Sequence, residues 1–232
     1  MGPIVRDTLN QTGVDMAELI LVRHGQANSA ARDAESYDRL SDLGRQQATW
    51  LGDWLRQTNP RFDRVYSGAL NRQKSTVEAM GYGDILEVDD RWNELDYFGL
   101  SKAMEAEHGL SFPEKPDDFA EHAPQLFRAW FEGRISEQQE TFFAFETRVR
   151  EALLSAAEPR GRALIVTSAG VIGALTRQVL GLDTDGMFKI ALHTANSSIH
   201  RIEVIGGVPY LNGFNGMAHL AHPTRAHART YV

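Results

Sequence analysis

Two short, uninterrupted apolar segments constrain the fold of this chain more than any other feature. They are Leu19-Ile20-Leu21-Val22 and Ala163-Leu164-Ile165-Val166-Thr167. Each ends in a polar turn that contains a glycine, and a segment with helical character follows it. An apolar strand without polar alternation is typical of a parallel sheet that is covered on both faces. The two segments therefore predict an α/β fold with helices on both sides of a sheet.

The remaining sequence alternates between helix and strand patterns. Helices are predicted over about 41–57, 69–80 and 136–157 and from the second apolar strand to Leu180, strands over 62–66 and 85–88, and a hairpin over 198–204 and 208–211. The segment from about 95 to 140 is rich in proline, acidic and aromatic residues, and it predicts a partly helical insertion that acts as a lid. The expected architecture is a three-layer α/β/α sandwich with a mostly parallel sheet.

The length and polarity of the chain indicate one domain. Its 232 residues suit a single α/β domain with an insertion. We assign residues 18–221 to that domain, 1–17 to a polar N-terminal extension and 222–232 to a C-terminal tail. No apolar run approaches the roughly 20 residues of a membrane span, and the extension lacks the apolar core of a secretory signal. A cytoplasmic protein without a membrane partner is predicted, and the oligomeric state is not readable from the sequence.

Charge and cysteine content exclude several classes of function. The chain contains no cysteine, which excludes disulfides, Cys-ligated zinc, iron–sulfur clusters and a thiolate nucleophile. Its net charge of −7 at pH 7 gives no positive field that would attract nucleic acid. No spaced set of histidines and carboxylates indicates a metal site. A small anionic ligand therefore needs locally placed arginines.

Polar residues at the ends of the predicted strands indicate one common site. In an open parallel sheet, ligands bind at the carboxyl ends of the strands. Arg23 and His24 follow the first strand. Arg72 follows the second strand and Glu94 follows the third. Two guanidiniums beside a helix N-terminus form a phosphate site, in which a neutral imidazole can attack phosphorus and a protonated carboxyl can protonate the leaving oxygen.

Several motifs occur in a fixed order along the chain. They are Arg-His-Gly at 23–25, Leu-Ser-Asp-Leu-Gly-Arg-Gln-Gln-Ala at 40–48, the serine-to-threonine segment at 67–76, Asn-Glu-Leu-Asp-Tyr-Phe-Gly at 93–99, Asn-Ser-Ser at 196–198 and Asn-Gly-Met-Ala-His-Leu at 215–220. In this order they resemble the motifs of the histidine phosphatase superfamily, the phosphoglycerate mutase-like group. The resemblance covers roughly residues 18–220 and is loose over 100–140.

The resemblance implies a role for each of the residues at the strand ends. His24 would accept the phosphoryl group and form a phosphohistidine, while Arg23 and Arg72 would clamp the phosphate oxygens. Glu94 would act as the general acid and then as the base that activates water. Neither a metal nor an organic cofactor is expected, because the arginines supply the positive charge that magnesium supplies elsewhere.

The chain departs from the superfamily pattern at one position. The superfamily usually has a second histidine after the fourth strand, and Ser168 stands at that place. Its hydroxyl can bind a phosphate oxygen or cap the following helix, but it carries no charge. The loss of one donor from an anion-stabilising set costs about 2.7–4 kcal/mol, or roughly 10²–10³ in rate. On chemistry alone, His193 is a candidate to replace the missing histidine.

Three functions remain open at this point. The leading prediction is hydrolysis of a small phosphate monoester through a phosphohistidine on His24. The first alternative is a catalytically weak or inactive phosphate-binding or regulatory member of the same fold. The second is phosphotransfer of the phosphoglycerate mutase type, which needs a second phosphate site, and no second basic cluster lies near the motifs.

The remaining histidines are predicted to have structural roles. His219 is expected to hold the C-terminal segment in place, and a direct ligand contact is the alternative for it. Four other histidines are expected at the surface: His108, His122, His222 and His227. The acidic and aromatic residues of the insertion argue mildly against very highly charged substrates.

Overall fold

The computed structural model describes residues 16–28, 31, 33–58, 61–113, 116–136 and 139–231. The predicted N-terminal extension lies outside these residues except for Met16 and Ala17, which already belong to the first strand. Within the described ranges, no helix combines the length and the apolar character that crossing a membrane takes.

A single mixed sheet forms the centre of the molecule. Its strands are β1 (Met16–Arg23), β2 (Arg64–Ser67), β3 (Leu86–Val88), β4 (Gly161–Thr167), β5 (Ile199–Ile205) and β6 (Val208–Gly216). They lie in the order β3-β2-β4-β1-β5-β6. The first four strands run parallel, whereas β5 is antiparallel to both of its neighbours, β1 and β6. The α/β fold is confirmed, and the predicted hairpin supplies the antiparallel part.

Helices cover both faces of this sheet. They are α1 (Ala34–Tyr37), α2 (Asp42–Thr58), α3 (Asn71–Ala79), α4 (Tyr97–His108), α5 (Pro116–Phe131), α6 (Phe142–Ala157), α7 (Ala169–Leu180) and α8 (Thr184–Leu192). Short 3₁₀ helices occupy Gly83–Ile85, Asp90–Trp92, Ala218–Leu220 and Pro223–Ala228. Helices α4 and α5 lie in the insertion and account for its partly helical character.

Alternation along the central strand builds the three layers. Leu19 and Leu21 of β1 pack into a core cluster that includes Phe145 of α6. Ile20 and Val22 point to the other face and pack into a cluster with residues of α2 and α3. Because every residue of β1 after Met16 is buried, the strand has no solvent-facing side, which explains its uninterrupted apolar sequence.

Local capping and turns move two of the predicted boundaries and add one helix. The helix expected from about residue 136 begins at Phe142, because the Thr141 side chain accepts a hydrogen bond from the Ala144 amide and caps it there. The third strand begins at Leu86, because the residues before it form a 3₁₀ turn. Helix α8 was not predicted, and the Asp183 side chain caps it.

His122 corrects the expectation that it lies at the surface. His122 lies within the insertion and is only 4% exposed to solvent. The Tyr97 hydroxyl lies 2.9 Å from His122 Nδ1, so packing between α4 and α5 buries the imidazole together with a polar partner. Burial lowers the pKa of His122 below its usual value.

Candidate active site

Four of the five predicted site residues line one cavity at the carboxyl ends of the parallel strands. The cavity has a volume of about 630 Å³, and Arg23, His24, Arg72 and Glu94 belong to its walls. The two arginines are each 6% exposed and His24 is 2% exposed. Two buried guanidiniums therefore flank a buried imidazole, which is the arrangement expected of a site for an oxyanion.

The hydrogen bonds of His24 define its reactive nitrogen. Nδ1 lies 2.7 Å from the Gly25 carbonyl oxygen, which can only accept, so the proton is assigned to Nδ1. Nε2 is then unprotonated and accepts a hydrogen bond from Arg72 Nε at 3.2 Å. Burial, followed by the charges of Arg72 and Arg23, holds the pKa of His24 well below its usual value. The imidazole is thus neutral at ordinary pH, with Nε2 unprotonated.

Asp38 and Tyr37 position Arg72. The Asp38 carboxylate accepts from Arg72 Nη1 at 3.0 Å, and it also accepts from the backbone amides of Asn71 and Arg72 at the start of α3. The Arg72 guanidinium carbon lies 5.1 Å from the centre of the Tyr37 ring. Neither residue was predicted from the sequence, since only the tertiary fold brings the segment before α2 against α3.

Arg23 is held by backbone carbonyls and by the same tyrosine. Its Nη1 donates to the carbonyl oxygens of Thr194 and Tyr231. Burial lowers its pKa, while a hydrogen bond with Tyr37 and the charge of Glu94 act in the opposite direction. Tyr231 also lines the cavity, so the segment predicted as a C-terminal tail reaches the site.

Glu94 is anchored at the N-terminus of α7. One carboxylate oxygen accepts from the Gly170 amide at 3.0 Å, and the other accepts from the Leu95 amide at 3.0 Å. A Cβ atom on Gly170 would collide with the carboxylate, so a larger residue there would displace the Glu94 side chain. The two backbone amides fix a carboxyl group in the wall of the same cavity as His24.

Ser168 has contacts that the sequence did not predict. The residue is fully buried, and its Oγ accepts a hydrogen bond from Gln73 Nε2 at 2.9 Å. Its side chain makes no capping hydrogen bond with α7, so the capping alternative is wrong. Among the described residues that line the cavity, Ser168 is absent, as is the exposed His193. A contact between Ser168 and phosphate stays a prediction.

Aromatic side chains enclose the side of the cavity that faces the insertion. Those in its walls are Tyr37, Tyr97, Phe98, Phe112, Phe127, Phe188 and Tyr231. Four of the seven come from the insertion. The insertion therefore lies over the cavity, which is the position that the sequence predicted for a lid. In the ranges that the structure describes, no group of three or more histidine, aspartate or glutamate residues is arranged to hold a metal ion.

Two further buried histidines support the loop next to the site. His200 Nε2 lies 2.9 Å from Ser198 Oγ, and His219 Nε2 lies 2.8 Å from Ser197 Oγ. Burial lowers the pKa of His200 to about 3 and that of His219 to about 4. His219 thus ties the C-terminal segment to the loop that precedes β5.

These low pKa values predict that acid destabilises the fold already between pH 6.5 and pH 5. In that range the unfolded chain binds protons at His200 and His219 and the folded chain does not, so the free energy of unfolding decreases as the pH falls. By pH 5 the loss amounts to about 2 kcal/mol for each histidine. Thermal unfolding at constant ionic strength measures it, and His219→Gln should reduce the slope. Equal melting temperatures at pH 7 and pH 5 would contradict the prediction.

Known proteins share sequence features with this chain. The sequence profile described as Histidine phosphatase superfamily (branch 1) matches residues 19–216. A 2,3-bisphosphoglycerate-dependent phosphoglycerate mutase from Brucella anthropi is 26% identical over 196 residues, which cover 79% of this chain and 91% of the relative. The chain spans only 43% of the length of two further curated relatives that it matches.

Solved structures show the same fold. YhfR from Bacillus stearothermophilus has a TM-score of 0.66 at 22% identity, with 88% of this chain and 98% of that chain covered. A mycobacterial glucosyl-3-phosphoglycerate phosphatase has a TM-score of 0.60 at 23% identity, with 87% and 99% covered. At these identities the likeness establishes the architecture.

Proposed function

Because this chain belongs to the histidine phosphatase superfamily, we propose that it hydrolyses a small phosphate monoester through a phosphohistidine on His24. One observation carries the proposal. The unprotonated Nε2 of His24 lies in a buried cavity, within hydrogen-bonding distance of Arg72 and flanked by Arg23. A neutral nucleophile between two fixed cations suits attack on a phosphoryl group, whose charge would otherwise repel it.

The first step transfers the phosphoryl group to the enzyme. The phosphate oxygens take hydrogen bonds from Arg72 and Arg23, and Arg72 Nε turns from the imidazole to an oxygen. The bond between His24 Nε2 and phosphorus forms while the bond to the ester oxygen breaks. Glu94 gives its proton to that oxygen, and the alcohol leaves.

The second step returns the enzyme to its starting state. The Glu94 carboxylate takes a proton from a water molecule, whose oxygen attacks phosphorus. The bond between Nε2 and phosphorus breaks, and inorganic phosphate leaves. Every step uses protein groups of the cavity, with the arginines stabilising the charge on the phosphoryl oxygens.

A weakly active or inactive phosphate-binding protein is the second candidate. Ser168, which stands where the superfamily usually has a second histidine, favours it, because a buried serine bound to Gln73 supplies no positive charge to the cavity. The curated relatives are named as mutases, but phosphotransfer between two phosphate sites is less well supported. The described lining residues contain two basic side chains, Arg23 and Arg72, and these lie together. They therefore supply one phosphate site and not two.

A turnover assay with a ³²P-labelled aryl phosphate tests the proposal. We expect steady release of inorganic phosphate and, after a rapid quench, a protein-bound label that is labile in acid and stable in base, as a phosphoramidate is. Phosphate binding without turnover would support the second candidate. A label stable in acid and labile in base would indicate a phosphoserine, and one labile in both would indicate an acyl phosphate; either result would contradict His24 as the nucleophile.

A further inference from the structure

We propose that the natural substrate is the phosphate monoester of a bulky, apolar alcohol without negative charge, with a planar aromatic group as the preferred form. This inference rests on the proposed function and specifies its leaving group. The inference follows from the cavity walls beyond the arginines. The organic leaving group of the substrate must lie against these walls while the phosphate contacts the arginines.

One wall of the cavity is a stack of aromatic rings from the insertion. The rings of Phe98 and Phe112 are stacked, with centroids 5.6 Å apart and planes 17° apart. Tyr97 packs edge-on against both of them, at 5.9 Å and 6.0 Å. Phe98 and Phe112 are each only half-buried, so part of each ring remains available to a ligand. A flat apolar group can extend this stack.

A second aromatic pair also lines the cavity. Phe127 of α5 and Phe188 of α8 are stacked with centroids 4.2 Å apart. Leu95 and Leu192 add aliphatic surface to the same cavity. The leaving-group region is therefore bounded largely by apolar side chains from several elements, which favour an apolar group over a polar sugar or glycerate.

The polar end of Tyr97 is directed into the protein. Its hydroxyl lies 2.9 Å from His122 Nδ1, and His122 is buried and does not belong to the described walls of the cavity. Burial raises the pKa of Tyr97 to about 12, so the phenol stays neutral. Tyr97 thus presents its ring, and no charge, to the occupant of the cavity.

The charges of the cavity disfavour an anionic leaving group. Among the described walls, Arg23 and Arg72 are the cations; they flank the nucleophile and are engaged by the phosphoryl group. The other ionisable side chains described there include the carboxylates Glu35 and Asp96, together with Asp38, which is paired with Arg72. A carboxylate or second phosphate on the leaving group would meet like charges and find no further cation among the described lining residues. Phosphoglycerates and sugar bisphosphates are therefore poor fits.

Binding of two phosphonates separates this inference from the catalytic proposal. Calorimetry with the full chain compares 1-naphthylmethylphosphonate, which is apolar, with 3-phosphonopropionate, which is anionic. We expect the naphthyl compound to bind at least about tenfold more tightly. In turnover assays, 1-naphthyl phosphate should likewise give a higher kcat/KM than 3-phosphoglycerate. Equal or tighter binding of the propionate would overturn the inference.

Aromatic variants locate the effect. Phe112→Ala and Phe98→Ala should each weaken binding of the naphthyl phosphonate about fivefold and leave the propionate unaffected. Phe143→Ala is the matched control, because Phe143 is 80% exposed and lies outside the cavity walls; it should change neither. An equal loss for both phosphonates would contradict a leaving-group contact.

The two proposals fail in different ways. Tight naphthyl binding without phosphate release would disprove the hydrolase and support the apolar pocket. Phosphate release that is fastest from 3-phosphoglycerate would support the hydrolase and disprove the apolar leaving group.

Discussion

Replacing His24 with alanine is expected to lower kcat/KM for an aryl phosphate by roughly 10⁴- to 10⁶-fold, the scale of losses seen when a covalent nucleophile is removed. In the proposed mechanism the imidazole forms the bond to phosphorus, and the cavity offers no second unprotonated nitrogen among its described walls. Steady-state hydrolysis of 4-nitrophenyl phosphate measures the loss, and the quenched phosphoenzyme should disappear with it.

His193→Ala is the matched control for that substitution. It removes another imidazole, which is exposed and lies outside the cavity walls, so activity should stay within about twofold, as for other surface substitutions. The same comparison tests the prediction that His193 substitutes for the histidine that the superfamily pattern leads one to expect at position 168. A loss of less than tenfold in the His24 variant, with the fold intact by thermal unfolding, would rule out His24 as the nucleophile.

Glu94→Gln is expected to lower kcat/KM by about 10²- to 10⁴-fold. The amide has nearly the same shape as the carboxyl group, and its oxygen can still accept from the Gly170 or Leu95 amide, but it has no proton to give to the leaving oxygen. The loss should be larger for a benzyl phosphate than for 4-nitrophenyl phosphate, because nitrophenolate leaves without protonation. Parallel assays of the two esters measure this difference.

Glu35→Gln distinguishes a proton donor from a general effect of charge. Glu35 is an exposed carboxylate of the same cavity, and its amide variant should retain activity within about threefold. If both substitutions had equal effects, or if the loss in the Glu94 variant were the same for both esters, Glu94 would not be the acid.

The layers of this fold could be predicted because the core follows local patterns. The apolar run of β1 reflects burial on both sides of the sheet, and Gly181, in a left-handed conformation, ends α7 directly after Leu180, where the sequence predicted its end. The boundaries that failed depend on single hydrogen bonds, such as the Thr141 cap that delays α6. Helix α8 is short, and its pattern extends over too few turns to stand out.

The site could be predicted only where the chemistry lies at a strand end. His24, Arg23, Arg72 and Glu94 follow directly from that rule and from the resemblance. Asp38, which holds Arg72 in place, was missed because this contact depends on how two distant segments pack. The sequence singled out Ser168 by its position after the fourth strand. Its hydrogen bond with Gln73 could not be predicted, because it depends on the tertiary structure.

The path of the C-terminal segment affects how the protein can be handled. The Tyr231 carbonyl accepts from Arg23, so a purification handle or surface linker fused beyond this residue starts beside the guanidinium that is to bind phosphate. Met16 lies at the amino end of the inner strand β1 and pairs with Ile205, and neither residue belongs to the described cavity walls. Fusion or immobilisation on the amino-terminal side is therefore expected to leave the cavity unobstructed.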